Sequence, residues 1–214
     1  MTDDLERTSD DRLLAGIAAG KADALMWLFR RRQADVYRFA LHMSGAAALA
    51  DDVTQDVFLV VMKEAGRYQP GRSSVTAWLC GIARNCLRQR LQRDARFESL
   101  DGGEQDDEGQ LPIVQIDPMG DLARGERIAA LRRAVLALPV RYREVVVLCD
   151  LEELSYADAA DALGCAIGTV RSRLHRARAM LAARLAALQD HDGQRDTAAG
   201  RTTDASMTQK RCMA

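Results

Sequence analysis

Apolar residues recur along most of this chain at helical spacing, and few strand signals compete with them. The clearest stretch is Leu154 to Leu185. Ser155 can cap a helix, and Asp158, three residues on, can reach back to the cap's amide, so a helix should begin there. It should run to Leu163, because Gly164 can take the left-handed conformation that ends helices; Cys165 and Ala166 then form a short turn. In the helix that follows, Val170, Leu174, Ala177, Leu181 and Leu185 share one face. Ala159 and Ala160 are small enough to let the first helix cross it closely. The pair reads as a helix-turn-helix. Its outer face carries Arg171, Arg173, Arg176, Arg178 and Arg184 with no acid between Ile167 and Leu185. A face of one sign differs from an ordinary solvated face, which mixes signs, and it suits phosphates and guanine edges.

Upstream, residues 11–19 predict a short helix ended by Gly20. Ala22 to Met43 predicts a longer one with Leu25, Leu28, Phe29, Val36, Phe39 and Ala40 inward, stopped by Ser44 and Gly45. The stretch from Asp51 to Ala65 places Val53, Val57, Val60 and Val61 inward and Asp51, Asp52, Gln55 and Asp56 outward. Acids at a helix start favour the macrodipole, so the residues alone leave partner binding open. Tyr68-Gln-Pro-Gly-Arg-Ser-Ser74 is a turn. Val75 to Arg93 is then a helix with Leu79, Ile82, Ala83, Cys86 and Leu87 inward and Arg84, Asn85, Arg88 and Arg90 outside or at the rim. Trp78 is expected in the core. From Asp94 to Arg124 glycines, prolines and acids replace the periodicity; this is a flexible linker holding an apolar island, LPIVQI. Helices resume over Glu126 to Leu138 and, after Pro139, over Arg141 to Asp150, where VVVL packs inward. The tail after Leu188 is polar and reads as disordered. The fold class is therefore all-α, with two small helical domains joined by an acidic linker.

Composition agrees: 48% hydrophobic, 5% aromatic and four prolines favour helices. A net charge of −1 alone argues against a nucleic-acid binder, but the charge is segregated. Arg67 to Arg96 carries seven arginines against Asp94, whereas Glu98 to Asp121 carries eight acids and no base. The five cysteines, Cys80, Cys86, Cys149, Cys165 and Cys212, form no CxxC pair, and His42, His175 and His191 are scattered. Neither a zinc site nor a disulfide framework is indicated, and no cofactor is expected. The acidic N-terminus and the lack of a long uncharged stretch predict a cytoplasmic protein without membrane insertion. Two unlike basic helices joined by an acidic tether suit an asymmetric bipartite DNA target bound by one copy.

The blocks ADDVTQDVFLVVMK, YQPGRSSVTAWLCGIARNCLR and LPVRYREVVVLCDLEELSYADAADALGCAIGTVRSRLHRAR, in this order and spacing, resemble the sigma-70 family of bacterial RNA polymerase initiation factors. The resemblance is to its extracytoplasmic-function (ECF) subfamily and covers about Leu25 to Leu185. It implies an N-terminal segment with a short helix (1–21), a region-two domain (22–94), the linker (95–125), a region-four helix-turn-helix (126–188) and a tail (189–214). It further implies that Asp51, Asp52, Gln55 and Asp56 meet the clamp helices of the polymerase β′ subunit. Thr169, Arg171, Ser172, Arg173, Arg176 and Arg178 would read the minus-35 element. Gln69, Arg72, Ser73, Ser74, Arg84, Asn85 and Arg88 would capture a flipped minus-10 base. The implied partners are core RNA polymerase, promoter DNA and a cognate anti-sigma factor. A flipped base costs a few kcal/mol, and between Arg67 and Arg96 only Tyr68 and Trp78 could supply a stacking platform. Ala166 stands where the family commonly has proline, and Gly81 where a bulkier residue is usual. The tail is longer than most.

Two rival readings are a stand-alone helix-turn-helix regulator and a metal- or thiol-dependent enzyme or redox sensor using Cys80, Cys86 or His175. The first leaves the acidic helix and the block from Trp78 to Arg88 unexplained. No spacing supports the second.

Overall fold

The computed structural model describes residues 8–98 and 122–186. Helix α1 spans Asp10–Ala18, α2 Ala22–Ser44, α3 Ala47–Glu64 and α4 Val75–Glu98; α5 spans Leu122–Leu136, α6 Val140–Val146, α7 Tyr156–Leu163 and α8 residues 167–186. No strand occurs among the described residues. The linker interior with LPIVQI and the tail with His191 and Cys212 lie outside them.

The first four helices bury a common core of Leu13, Leu14, Leu28, Val36, Phe39, Val53, Val57, Val61 and Leu79, each at most 1% exposed. Helix α1 belongs to this bundle rather than to a separate N-terminal segment. Its Asp10 meets Arg31 at 3.0 Å and Arg32 at 2.6 Å on α2. Phe29 departs from expectation. It is 37% exposed and stacks edge-on against Phe58, because Leu25 and Leu28 take the inner face and the next residue lies about 100° further round the helix. Gly45 ends α2 in the left-handed region (φ 73°), its amide donating to Leu41 O at 2.8 Å.

Four boundaries also differ. Helix α3 begins at Ala47, a turn earlier than the carboxylates suggested, so Asp51 and Asp52 lie in its second turn and the macrodipole does not account for them. Helices α4 and α5 run on to Glu98 and back to Leu122, shortening the linker at both ends. Charge and polarity do not end a helix, and neither Gly nor Pro falls between Asp94 and Glu98. Helix α6 widens after Val146 into a π-turn over Val147–Leu151, where the Glu152 amide reaches back to Val147 O at 2.9 Å.

The second half closes around Val135, Leu138, Val145, Val146, Val147, Leu148, Leu163, Val170, Leu174 and Ala177, all buried. Ala159 and Ala160, the small residues of α7, are both buried. The two halves do not stand apart. Their buried residues form one continuous apolar cluster, and α7 lies on α4. Gly81 accounts for the approach: a Cβ there would sit 3.4 Å from Ala162 O and 3.6 Å from its Cα.

Burial raises the pKa of Cys80, Cys86 and Cys149. It pushes Cys80 far above the usual range and, with help from Asp150, Cys149 up to about 11. Iodoacetamide at pH 8 should therefore leave Cys80 and Cys149 unmodified in the folded chain and label both in denaturant; peptide mapping that finds either alkylated under native conditions refutes this. Phe39, wholly buried among three helices, sets the scale of core packing. Phe39→Ala should cost about 3–5 kcal/mol, read as a fall in the urea midpoint with unchanged m-value.

Candidate nucleic-acid interface

The acidic group lies on α3. Asp51, Asp52 and Gln55 are exposed and Asp56 is half-buried. Arg90 on α4 holds two of them, donating to Asp56 Oδ2 at 2.6 Å and to Asp52 Oδ2 at 3.0 Å. The same face continues into Leu59 and Met62, each 55% exposed at helical spacing from Gln55. Sequence reasoning passed over both, because VFLVVM reads as one apolar run that a helix would bury. The face is therefore mixed, with carboxylates at one end and bare aliphatic surface at the other.

A second group surrounds the turn before α4. Tyr68 is buried; its hydroxyl donates to Asp11 at 2.6 Å and lies 3.0 Å from Ser73 O. Burial and the Asp11 carboxylate raise its pKa. Trp78 is half-buried, its ring tilted 5.5 Å from that of Tyr68. Tyr68 is thus part of the core, and the expected stacking platform is reduced to the rim of Trp78. Gln69, Arg72, Ser74, Asn85 and Arg88 are exposed, while Ser73 and Arg84 are half-buried.

Three of the minus-10 candidates are already engaged by the other half of the chain. Arg72 Nε donates to Asp161 Oδ1 at 3.0 Å, the Ser74 amide to Asp158 Oδ1 at 2.7 Å, and Arg84 Nε to Glu144 Oε1 at 2.5 Å. An open cleft of about 510 Å³ lies between the halves here, lined by Tyr68, Arg72, Ser73, Ser74, Ser155 and Asp158 among others. None of these cross-chain partners was foreseen. Glu144, Asp158 and Asp161 read in sequence as ordinary polar helix positions.

The helix-turn-helix forms the third group. Ser155 caps α7 as expected, accepting from the Asp158 amide at 3.0 Å. The reciprocal half of the capping box differs. Asp158 Oδ2 accepts from the Ser155 hydroxyl at 2.9 Å and its other oxygen takes the Ser74 amide, so the carboxylate is drawn across the seam rather than back to the cap's own N–H. Gly164 ends α7 at φ 64°, ψ 37°. On α8, Arg171, Ser172, Arg176 and Arg178 are exposed, and Thr169 and Arg173 are half-buried. Two of the arginines are restrained. Arg178 grips Asp150 through two bonds of 3.1 and 2.6 Å, which raises its pKa. Arg176 hydrogen-bonds the Tyr142 hydroxyl and lowers the tyrosine's pKa. Among the described residues no group of three or more His, Cys, Asp or Glu side chains could hold a metal ion, and no helix is long and apolar enough to cross a membrane.

Comparison with known proteins follows the same division. The family model for sigma-70 region 2 matches residues 28–97, and that for sigma-70 region 4 matches 128–181. The chain is 37% identical over 175 residues to the ECF RNA polymerase sigma factor SigM of Mycobacterium tuberculosis, spanning 81% of this chain and 83% of that one. It is 38% identical over 155 residues to SigE of Mycolicibacterium smegmatis, spanning 71% and 58%. Among solved structures it resembles CnrH, determined with the cytosolic domain of CnrY (TM-score 0.60, 28% identity, 83% of this chain and 97% of that one). It also resembles the sigma factor RpoE of Bartonella quintana, determined with the anti-sigma factor NepR (TM-score 0.58, 27% identity, 73% and 93%). With two matched regions in order, an all-helical fold and relatives of this identity and coverage, the chain belongs to the ECF group of the sigma-70 family and is an RNA polymerase sigma factor that directs promoter recognition.

Proposed function

We propose the following division of labour among its residues. The outer face of α3, with Asp51, Asp52, Gln55 and Asp56, docks on the clamp helices of the polymerase β′ subunit, and Leu59 and Met62 extend that contact. Thr169, Arg171, Ser172, Arg173, Arg176 and Arg178 on α8 meet the minus-35 duplex in its major groove. Gln69, Arg72, Ser73, Ser74, Arg84, Asn85 and Arg88 meet the minus-10 strand, holding a flipped base between the turn and α4. The chain acts in the cytoplasm, performs no catalysis itself and is held in check by an anti-sigma factor, as the structural relatives solved with such partners suggest. What carries this reading is the separation of chemistry by helix: exposed carboxylates on α3 and exposed arginines on α8. A stand-alone DNA-binding regulator would have no use for the first of these.

Run-off transcription with core polymerase on the promoter upstream of its own operon tests the whole. Asp52→Lys with Asp56→Lys should weaken binding to core while leaving the helical circular dichroism intact, since both carboxylates project from the bundle and their pairs with Arg90 lie at its surface, where such pairs add little. Unchanged core affinity refutes the clamp contact.

The contrast between Arg173 and Arg178 divides base reading from backbone contact. Arg173→Ala should cost about 1–3 kcal/mol of holoenzyme–promoter affinity and relax selectivity at one minus-35 position. Arg178 is neutralised by Asp150, so freeing it is the more telling change. Asp150→Asn should tighten binding to all promoters alike and steepen the salt dependence by about one phosphate contact. A sequence-dependent gain, measured by salt-titrated gel shift, contradicts a backbone role for Arg178.

A further inference from the structure

Beside the buried bond from Arg143 of the region-four half to Met43 O, the carboxylate contacts between the two halves have a consistent polarity. Arg84 pairs with Glu144 at 2.5 Å, Arg72 with Asp161 at 3.0 Å and Arg38 with Glu152 at 3.3 Å; His42 Nδ1 lies 3.5 Å from the same Glu152. Asp158 takes the amide of Ser74 at 2.7 Å. In each case the cation or N–H comes from the region-two half and the carboxylate from the region-four half.

The carboxylates also occupy donors proposed for DNA. Arg72, Ser74 and Arg84 are minus-10 candidates, and each has an Asp or Glu oxygen where a phosphate or base acceptor would sit. Among the minus-35 candidates Arg178 is held by Asp150 of its own half, whereas Arg171, Ser172 and Arg176 are exposed on α8 and make no contact with the described residues of region two. The contact of α4 with α7 is moreover incompatible with a promoter-bound chain. Elements about 25 base pairs apart at about 3.4 Å each lie roughly 85 Å from one another along the duplex. Two helices in van der Waals contact at Gly81 and Ala162 cannot serve both ends of that span. The chain must open to work.

We infer that the acidic face of region four, formed by Glu144, Glu152, Asp158 and Asp161, is a built-in mimic of the minus-10 strand that covers region two in the free chain and is displaced when the factor engages polymerase and promoter. The inference rests on the sigma-factor reading of the minus-10 residues and adds to it a competitor within the same molecule. Its energetics suit a reversible cover. Glu144 is 3% exposed, and a buried ion pair gains little over its desolvation cost; the Arg72 and Asp161 pair is open to solvent and weakened by salt. Separation returns each charge to water, so the open state is accessible to a partner that binds it better.

The test uses the full chain. Asp158→Asn with Asp161→Asn, and separately the triple variant adding Glu144→Gln, removes the mimic's charge at residues outside the proposed DNA and polymerase contacts. Without core enzyme, fluorescence anisotropy should show binding of the single non-template strand of its own operon's promoter strengthening by about tenfold if nine-tenths of the chain is covered. Binding to the minus-35 duplex should be unchanged, and small-angle scattering should show a larger radius of gyration. Equal affinity and equal radius in the double variant overturn the inference, whether or not the triple variant folds. The opposite manipulation is a lock. Gly81→Cys with Ala162→Cys places sulfurs where a Cβ at 81 lies 3.6 Å from the Cα at 162, within reach of a disulfide. The oxidised chain, its cross-link verified by mass spectrometry, should lose run-off transcription with core polymerase and recover it in dithiothreitol. Full activity of the cross-linked form refutes the cover. Absence of run-off from the wild-type chain would instead strike the sigma reading itself, and the inference with it.

Discussion

A single guanidinium ties the two halves of this molecule together. Arg143, at the start of α6, is 3% exposed and has no carboxylate partner among the described residues; it donates to the carbonyl of Met43 at 2.7 Å, to that of Leu138 at 3.1 Å, and to that of Leu136. Met43 lies in the last turn of α2, and Leu136 ends α5. Carbonyls at a helix C-terminus have no partner within the helix and carry the negative end of its dipole, so two helix ends from different halves converge on one cation. Burial lowers the pKa of Arg143 to about 10, which leaves it charged at neutral pH. Where Arg143 goes, Glu144 follows, and the next residue in sequence is thereby delivered to Arg84 on α4.

From that anchor the rest of the seam is geometry. With α6 fixed against α2, the π-turn at Val147–Leu151 redirects the chain and brings Glu152 to Arg38. Helix α7 then crosses α4 at the one position where the latter lacks a side chain. At Gly81 the Ala162 backbone comes so near that an added Cβ would already be in van der Waals contact with it. The cap of α7 completes the join, since Ser155 satisfies the helix's amide while Asp158 satisfies that of Ser74.

Much of this fold was legible in the sequence, and the unread part has a common cause. The spacing of Leu28, Val36 and Phe39 and of Val53, Val57 and Val61 gave their helices, because a buried stripe must repeat with the helical period. Gly164 marked the turn of the helix-turn-helix because the left-handed conformation favours glycine. The exposed arginines of α8 followed from the same periodicity. What periodicity does not encode is the partner of a polar residue. Asp158 and Asp161 have the same pattern whether they face water or another helix, and Arg143 and Glu144 resemble a solvated turn beside VVVL. Boundaries failed for a related reason. Asp51 was read as a helix start because acids favour that place, but Ala47 begins the helix and tertiary packing overrode the preference.

The near-neutral whole also has a physical reading. A protein that must find one promoter among a genome of phosphates gains nothing from a large positive field, which would hold it on DNA of any sequence. Here the basic stretch from Arg67 to Arg96 is matched by eight acids between Glu98 and Asp121, and the net charge is −1. Arg178 with Asp150, Arg72 with Asp161 and Arg84 with Glu144 repeat that compensation side chain by side chain. A charge answered locally contributes little to distant attraction but is available once a better acceptor displaces its partner. Selectivity then arises at contact rather than at a distance, and under the proposed roles the arginines most readily given to DNA are those whose internal carboxylate is easiest to dislodge. By exposure that order is Arg72, then Arg178, then Arg84, whose side chains are 68%, 57% and 19% accessible. The buried pair of Arg84 and Glu144 is the least solvated of the three, so under the inferred cover it is the last to part.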